Sequence, residues 1–133
     1  MLERIKILES NVEHLKVLQN SQLEDKDFFQ NKTNEWALRY GLLESIQIII
    51  DIGCHLVSKY NLGTPESYKQ CFLLLEKFEY LDSELSQKCI KMAGLRNILS
   101  HEYIKINLPD LIQMLSLTDD FIKFIKSIYR YLE

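Results

Sequence analysis

The sequence predicts an all-α protein, a compact bundle of about five helices. Three observations carry that expectation. Apolar residues recur at intervals of three and four over most of the chain, the spacing that lines one face of an α-helix. Four Gly and two Pro are spread through 133 residues, too few turn-formers for many short strands. Runs that alternate apolar and polar residues are few. With 47% hydrophobic and 26% charged content, the chain has the size and apolar material of one domain, residues 1–133, around one core.

Leu2, Ile5, Leu8, Val12, Leu15 and Leu18 define a first amphipathic helix over about 2–21. A longer partner is expected from about Asp27 to Tyr60, with Trp36, Tyr40, Leu43, Ile46, Ile50, Cys54 and Val57 on one face. Ile48, Ile49 and Ile52 widen that stripe enough for cover on two sides, by the core and by a second subunit. Gly63 ends the connection, and Thr64-Pro65 supplies an N-cap and a first-turn proline for a short helix to about Phe78. Asp82 or Ser83 caps a fourth helix, which runs through Leu85, Cys89, Met92 and Leu95 and ends just past Tyr103. Asn107 caps the last helix, with Pro109 in its first turn, where a missing N–H costs little. Leu111, Leu115, Ile122, Ile125, Tyr129 and Leu132 are expected on its inner face. The chain contains no internal repeat and no low-complexity linker.

Composition narrows the function classes. No stretch approaches the roughly 20 apolar residues that span a bilayer. The start, Met1-Leu2-Glu3-Arg4-Ile5-Lys6, reads as an amphipathic helix and not a signal peptide. A soluble, cytoplasmic protein without membrane partners is therefore expected. Cys54, Cys71 and Cys89 are odd in number, widely spaced and set among apolar residues, so three buried thiols are expected, with neither a disulfide framework nor a metal knuckle. A net charge of −3 argues against an extended nucleic-acid surface. Yet Gln87–Ile106 carries Lys88, Lys91, Arg96, Glu102 and Lys105, a net +3, and leaves −6 for the rest of the chain.

The chemistry falls in that basic segment, Arg96-Asn97-Ile98-Leu99-Ser100-His101-Glu102-Tyr103. On a helix turning about 100° per residue, Arg96, Asn97, His101 and Tyr103 lie within an arc of roughly 160°, while Met92, Leu95 and Leu99 face the core. The polar group thus borders a cleft. An arginine offers a permanent planar charge matched to phosphate oxygens, and a histidine titrates near neutral pH. Together they suit phosphodiester cleavage in which the RNA's own 2′-hydroxyl attacks phosphorus, so that the protein only moves protons and stabilises charge. Such chemistry requires neither metal nor cofactor. The spacing has a structural reading too, in which Arg96 pairs with a carboxylate such as Glu102 and His101 borders the core.

Other residues admit two readings each. Asp51 and His55, one turn apart, form a supporting pair for the motif or a structural hydrogen bond. Trp36, Tyr40, Tyr129 and Tyr131 suit core or subunit-interface packing, with base stacking as the alternative. His14 sits among polar residues and is expected in solvent, and Ser100 has no neighbours that mark an activated nucleophile.

The string Arg-Asn-x-x-x-His-x-Tyr at the end of a helix in a small all-α chain resembles the signature of the HEPN superfamily. More closely, the chain is similar to the HepT-like toxins encoded beside MNT-type minimal nucleotidyltransferases. Asp51-Ile52-Gly53-Cys54-His55-Leu56, Leu62-Gly63-Thr64-Pro65-Glu66-Ser67-Tyr68 and Lys91-Met92-Ala93-Gly94-Leu95-Arg96-Asn97 follow the order of those relatives. The resemblance covers roughly residues 36–110. It implies a HEPN fold and a ribonuclease toxin in which Arg96 holds the scissile phosphate, Asn97 orients substrate or His101, and His101 is the general acid or base. It also implies a homodimer that builds one cleft from two copies of the motif. The implied partners are an RNA substrate, tRNA or mRNA, and a cognate MNT-domain nucleotidyltransferase antitoxin, as a pair or in a larger hetero-oligomer. That antitoxin would transfer AMP to Tyr103, whose structural alternative is a ring packed under the motif. The alternative function is a non-catalytic HEPN module that binds a nucleotidyltransferase.

Overall fold

A computed structural model of the chain describes residues 1–101 and 105–133; the expected helix end at Tyr103 and the pairing of Arg96 with Glu102 lie outside these residues. The described residues form the α-helices α1 (Leu2–Glu24), α2 (Lys32–Lys59), α3 (Tyr68–Lys77), α4 (Ser83–His101), α5 (Leu108–Gln113) and α6 (Leu117–Ile128), with short 3₁₀ turns at Phe28–Gln30, Met114–Ser116 and Tyr129–Tyr131. The all-α bundle matches the expectation. The helix count rises because the last predicted helix is split into α5 and α6.

α2 is the central element and packs against α1, α3, α4, α5 and α6. Over its most apolar 18 residues its mean hydropathy reaches 1.4, so by length and composition it could cross a bilayer, contrary to the sequence expectation. That apolarity has a packing reason. Leu38, Leu42, Ile46, Ile48, Ile49, Ile50, Ile52, Leu56 and Val57 are all buried, because neighbours surround the helix. The apolar stripe predicts Trp36 and Tyr40 on the same inner face, but they are 73% and 61% exposed and look outward. α2 also starts later than Asp27. Asn31 caps it, accepting hydrogen bonds from the Thr33 and Asn34 amides at 2.9 and 3.2 Å.

On α1, Ile5, Leu8, Val12 and Leu15 are buried against this centre, and Leu2 is exposed. α3 is capped by Ser67, whose hydroxyl accepts from the Gln70 amide at 3.2 Å, and not by Thr64. The Asp82 carboxylate accepts from the Leu85 amide at 2.7 Å and starts α4. Asn107 accepts from the Asp110 amide at 2.9 Å and starts α5 with its early proline, as expected. The 3₁₀ turn at Met114–Ser116 then rotates the chain about 60° further over its three residues than an α-helix would. The core-facing positions therefore arrive one residue early. Phe121, Phe124 and Ile128 are buried, whereas Ile122 and Ile125 are half-buried and Tyr129 is exposed. Tyr131 packs in a cluster with Tyr60 and Tyr80.

The cysteines correct the sequence reading. Cys54 on α2 and Cys71 on α3 form a disulfide with their Cα atoms 5.2 Å apart, a separation suited to a bridge. The odd count and the 17-residue spacing hid it. Only Cys89 remains a thiol, as expected. Burial, aided by Asp120 and Asp82, pushes it up to about 12, which makes it inert as a nucleophile.

Candidate active site

α4 carries the motif because its two faces differ. Met92 and Leu99 are buried and fix the rotation of the helix. Arg96 is then half-buried at the edge, and Asn97 and His101 are exposed. The three polar side chains meet. Arg96 Nη1 donates to Asn97 Oδ1 at 3.2 Å and lies 3.4 Å from His101 Nε2. A guanidinium can only donate, so a hydrogen bond between the two has Nε2 as its acceptor, in the tautomer that carries its proton on Nδ1. That assignment leaves a basic nitrogen beside a permanent positive charge.

Among the described residues, Asn97 is hydrogen-bonded to the arginine. Ser100 Oγ is buried with no hydrogen-bond partner among the described residues, and nothing there activates it. Tyr103 lies outside the described residues.

α2 supplies a residue that the sequence did not signal. Gln47 accepts from Arg96 Nε at 2.8 Å through Oε1 and donates from Nε2 to Asp51 Oδ1 at 2.8 Å. Asp51 in turn pairs with Arg4 of α1. Asp51 thus faces the motif through Gln47, and among the described residues its carboxylate is held by Gln47 and Arg4 and not by His55. His55 is half-buried further along α2, and burial together with the Met1 amino group and Lys59 lowers its pKa. The signals that could have found Gln47 and Arg4 are weak, since an uncharged amide has no chemistry of its own and Arg4 is 47 residues from its partner.

The motif is flanked by two clefts. One, of about 520 Å³, opens between α1, α2 and α4 and is lined by Arg4, Tyr40, Glu44, Gln47, Arg96 and Ser100. Tyr40 is held there by a 2.6 Å hydrogen bond from its hydroxyl to Glu44, which raises the phenol pKa. The other, of about 500 Å³, lies on the α3 side beside Ser67, Tyr68, Gly94 and Asn97. Gly94 borders that opening, and a Cβ there would meet nothing within 4 Å.

The local basicity is smaller than the sequence implied. Lys88 lies 3.1 Å from Asp120 and 3.5 Å from Glu84, and the hydrogen bond and charge of Asp120 raise its pKa. It ties α4 to α6 and adds little to the field at Arg96.

Comparison with known proteins agrees with this architecture. A family model described as Ribonuclease HepT-like matches residues 1–128. The mRNA nuclease HepT of Shewanella oneidensis is 30% identical over 112 residues, 84% of each chain. The tRNA nuclease HepT of Aphanizomenon flos-aquae is 31% identical over 105 residues, 78% of this chain and 69% of that one. Among solved structures, a tri-AMPylated Shewanella oneidensis HEPN toxin in complex with MNT antitoxin superposes with a TM-score of 0.86 at 26% identity, covering 97% of this chain and 96% of that one. A toxin–antitoxin crystal structure with AMP-PNP gives a TM-score of 0.84 at 26% identity, covering 96% and 95%. With its match running from the first residue to residue 128 and its all-α fold shared with a HEPN toxin, the chain belongs to the HepT-like ribonuclease family.

Proposed function

We propose that this protein is a single-domain, cytoplasmic endoribonuclease toxin that needs no metal and works as a homodimer. A cognate MNT-type nucleotidyltransferase antitoxin would neutralise it by transferring AMP to Tyr103. The observation that carries the nuclease reading is the contact of Arg96 Nη1 with both Asn97 Oδ1 and His101 Nε2 at the exposed edge of α4. Related proteins named mRNA and tRNA nuclease support RNA as the substrate.

In the proposed reaction, the 2′-oxygen of the RNA attacks the adjacent phosphorus and the bond from phosphorus to the 5′-oxygen of the next nucleotide breaks. One His101 takes the 2′ proton on Nε2, and a protonated second copy returns a proton to the departing 5′-oxygen. The products are a 2′,3′-cyclic phosphate and a 5′-hydroxyl, with no water consumed. Arg96 stabilises the charge that builds on the non-bridging oxygens, and Asn97 keeps the guanidinium turned toward them. One imidazole cannot be base and acid at once, which is why two copies of the motif are required. The outward-facing Trp36 and Tyr40, whose neighbouring turns line the Arg96 cleft, suit a dimer contact.

Modification fits the same electrostatics. An adenylate on Tyr103, two residues beyond His101, brings a phosphate's negative charge and bulk into a site built for phosphate. The likeness to a tri-AMPylated toxin bound to an MNT antitoxin supports this reading.

The test is incubation of purified protein with mixed cellular RNA in chelator. Wild type should cut, and His101→Ala should be slower by a factor on the order of 10² to 10⁴. RNA left equally intact by both proteins would reject the nuclease and favour a non-catalytic partner-binding module. Co-expression with the cognate nucleotidyltransferase should add adenylate mass that Tyr103→Phe abolishes. An unmodified wild type would count against the AMP switch.

A further inference from the structure

We infer that Gln47 is a positioning residue for Arg96, set in its working orientation by the Asp51–Arg4 pair behind it. The inference rests on the nuclease reading for its activity readout, and on geometry for the rest. Three helices contribute to one line of contacts. Arg4 comes from α1, Gln47 and Asp51 from α2, and Arg96 from α4. Gln47 Oε1 receives the Arg96 Nε–H at 2.8 Å, and Gln47 Nε2 donates to Asp51 Oδ1 at 2.8 Å.

The orientation of this amide is determined by its neighbours. Rotating it by half a turn would set its NH₂ against the Arg96 N–H and its oxygen against the Asp51 carboxylate, so both hydrogen bonds would become repulsions. Asp51 therefore selects one of the two amide orientations. Arg4, paired with the same carboxylate, holds Asp51 in place. The consequence at Arg96 is that Nε is fixed to α2 while Nη1 stays on the Asn97 and His101 side. A guanidinium anchored at Nε presents its terminal nitrogens as a flat fork, the geometry that pairs with two phosphate oxygens.

The neutrality of Gln47 is also informative. A carboxylate there would anchor Arg96 equally well, but it would neutralise the charge that phosphate must meet. An amide anchors the guanidinium and leaves its full charge available. The formal negative charge behind the amide, on Asp51, is shared with Arg4.

Two substitutions should therefore fail differently. Gln47→Met keeps length and packing but removes the acceptor. Its kcat should fall roughly 10- to 100-fold, the scale of a misplaced catalytic group, with KM within about twofold. Gln47→Glu keeps the acceptor but neutralises Arg96, so its KM for RNA should rise. That loss should diminish once the pH is low enough to protonate the introduced carboxylate, which Arg96 and Arg4 favour charged and Asp51 and Glu44 favour neutral. A merely structural glutamine would lower the thermal midpoint of both variants and produce neither signature. The contact can also be read without turnover, from the Arg96 Nε–H proton resonance, assigned by its loss in Arg96→Lys. That proton should exchange slowly with solvent in wild type and rapidly in Gln47→Met.

Unchanged kcat in Gln47→Met, or an unchanged Arg96 Nε–H exchange rate, overturns the inference. A wild type that cleaves no RNA overturns the nuclease reading alone, and the resonance still decides this one. Should Gln47→Met not fold, Asp51→Ala decides in its place. It frees the amide to rotate, and it should lower kcat severalfold and speed the same exchange; no change in either overturns the inference.

Discussion

Reducing the Cys54–Cys71 bridge should destabilise the protein by about 3 kcal/mol, through the unfolded chain more than through the native one. The bridge closes a loop with a sequence separation of 17, and the chain-entropy relation for that length gives about 10 cal/mol/K lost from the unfolded ensemble, or about 3 kcal/mol at 25 °C. At about 2.1 cal/mol/K per residue, 133 residues unfold with an entropy of about 0.28 kcal/mol/K, so the midpoint should drop by about 11 °C. The native α2–α3 seam should survive reduction because other contacts hold it. Phe72 is buried against Gly53, one residue from each cysteine, and Ser86 of α4 donates to the Phe72 carbonyl at 3.0 Å. The assay is thermal unfolding followed by circular dichroism, with and without a thiol reductant, in wild type and in Cys54→Ala. Wild type should lose its midpoint on reduction, and the variant should start low and ignore the reductant. Equal midpoints for oxidised and reduced wild type would refute the reasoning, and so would a reduced protein that loses its helicity at 25 °C.

Gly53→Ala should destabilise despite the better helix propensity of alanine. A Cβ at 53 would lie 2.8 Å from Phe72 Cε1 and 3.5 Å from Leu75 Cδ1, closer to the ring than any real Cβ contact, so the overpacking cost of about 1–3 kcal/mol should exceed the propensity gain of at most about 1 kcal/mol; urea unfolding measures the difference, and relief by Phe72→Leu in a double-mutant cycle checks its cause. Glu79 sits just past α3 with φ at 66°, the left-handed region that favours glycine, so Glu79→Gly should stabilise by about 0.5–1 kcal/mol in the same urea assay. His55 has its folded pKa lowered, so the unfolded chain binds its proton more readily. Stability should fall as the pH drops from the ordinary histidine value near 6.5 toward the lower folded value, and His55→Gln should flatten that part of the midpoint-versus-pH curve.

The helices were legible where a local signal exists. The Asn107 and Asp82 caps and the inner face of α1 follow from side-chain type and three-four spacing alone. The failures fall where the physics is not local. On α2, nine apolar residues from Leu38 to Val57 are buried all round the helix, so periodicity could not say which way Trp36 and Tyr40 point. On α6, three residues of 3₁₀ geometry shifted the phase of everything after them. The bridge joins cysteines on different helices, and Gln47 reaches Arg96 across 49 positions. Arg96, Asn97 and His101 were legible because they share one helix, and the structure brings them together. Of what holds Arg96 in place, Asp51 stands out in the sequence as a candidate support, whereas Gln47 and Arg4, on α2 and α1, give no local signal.

The same placement of charges bears on how an acidic protein could bind RNA. The chain carries a net −3, and Lys88, the first basic residue of α4, is bound to Asp120 and Glu84. On the nuclease reading, the field at the site is then expected to come from a few cations at short range more than from a basic surface. Arg96 is suited to this because its partners among the described residues, Gln47, Asn97 and His101, carry no carboxylate. An association driven by few phosphate contacts should lose affinity only gently with salt. If two protomers each offer Arg96 and little else, the slope of log affinity against log salt should be near −0.7 per phosphate neutralised, or about −1.4 in total for single-stranded RNA. Fluorescence anisotropy with a 2′-deoxy oligonucleotide, which lacks the attacking hydroxyl, measures that slope without turnover. Gln47→Glu should flatten it by neutralising the arginine, whereas Gln47→Met should leave it intact. A wild-type slope of about −4 or steeper would mean that a wider basic surface does the binding, and the site would have to be redrawn around it.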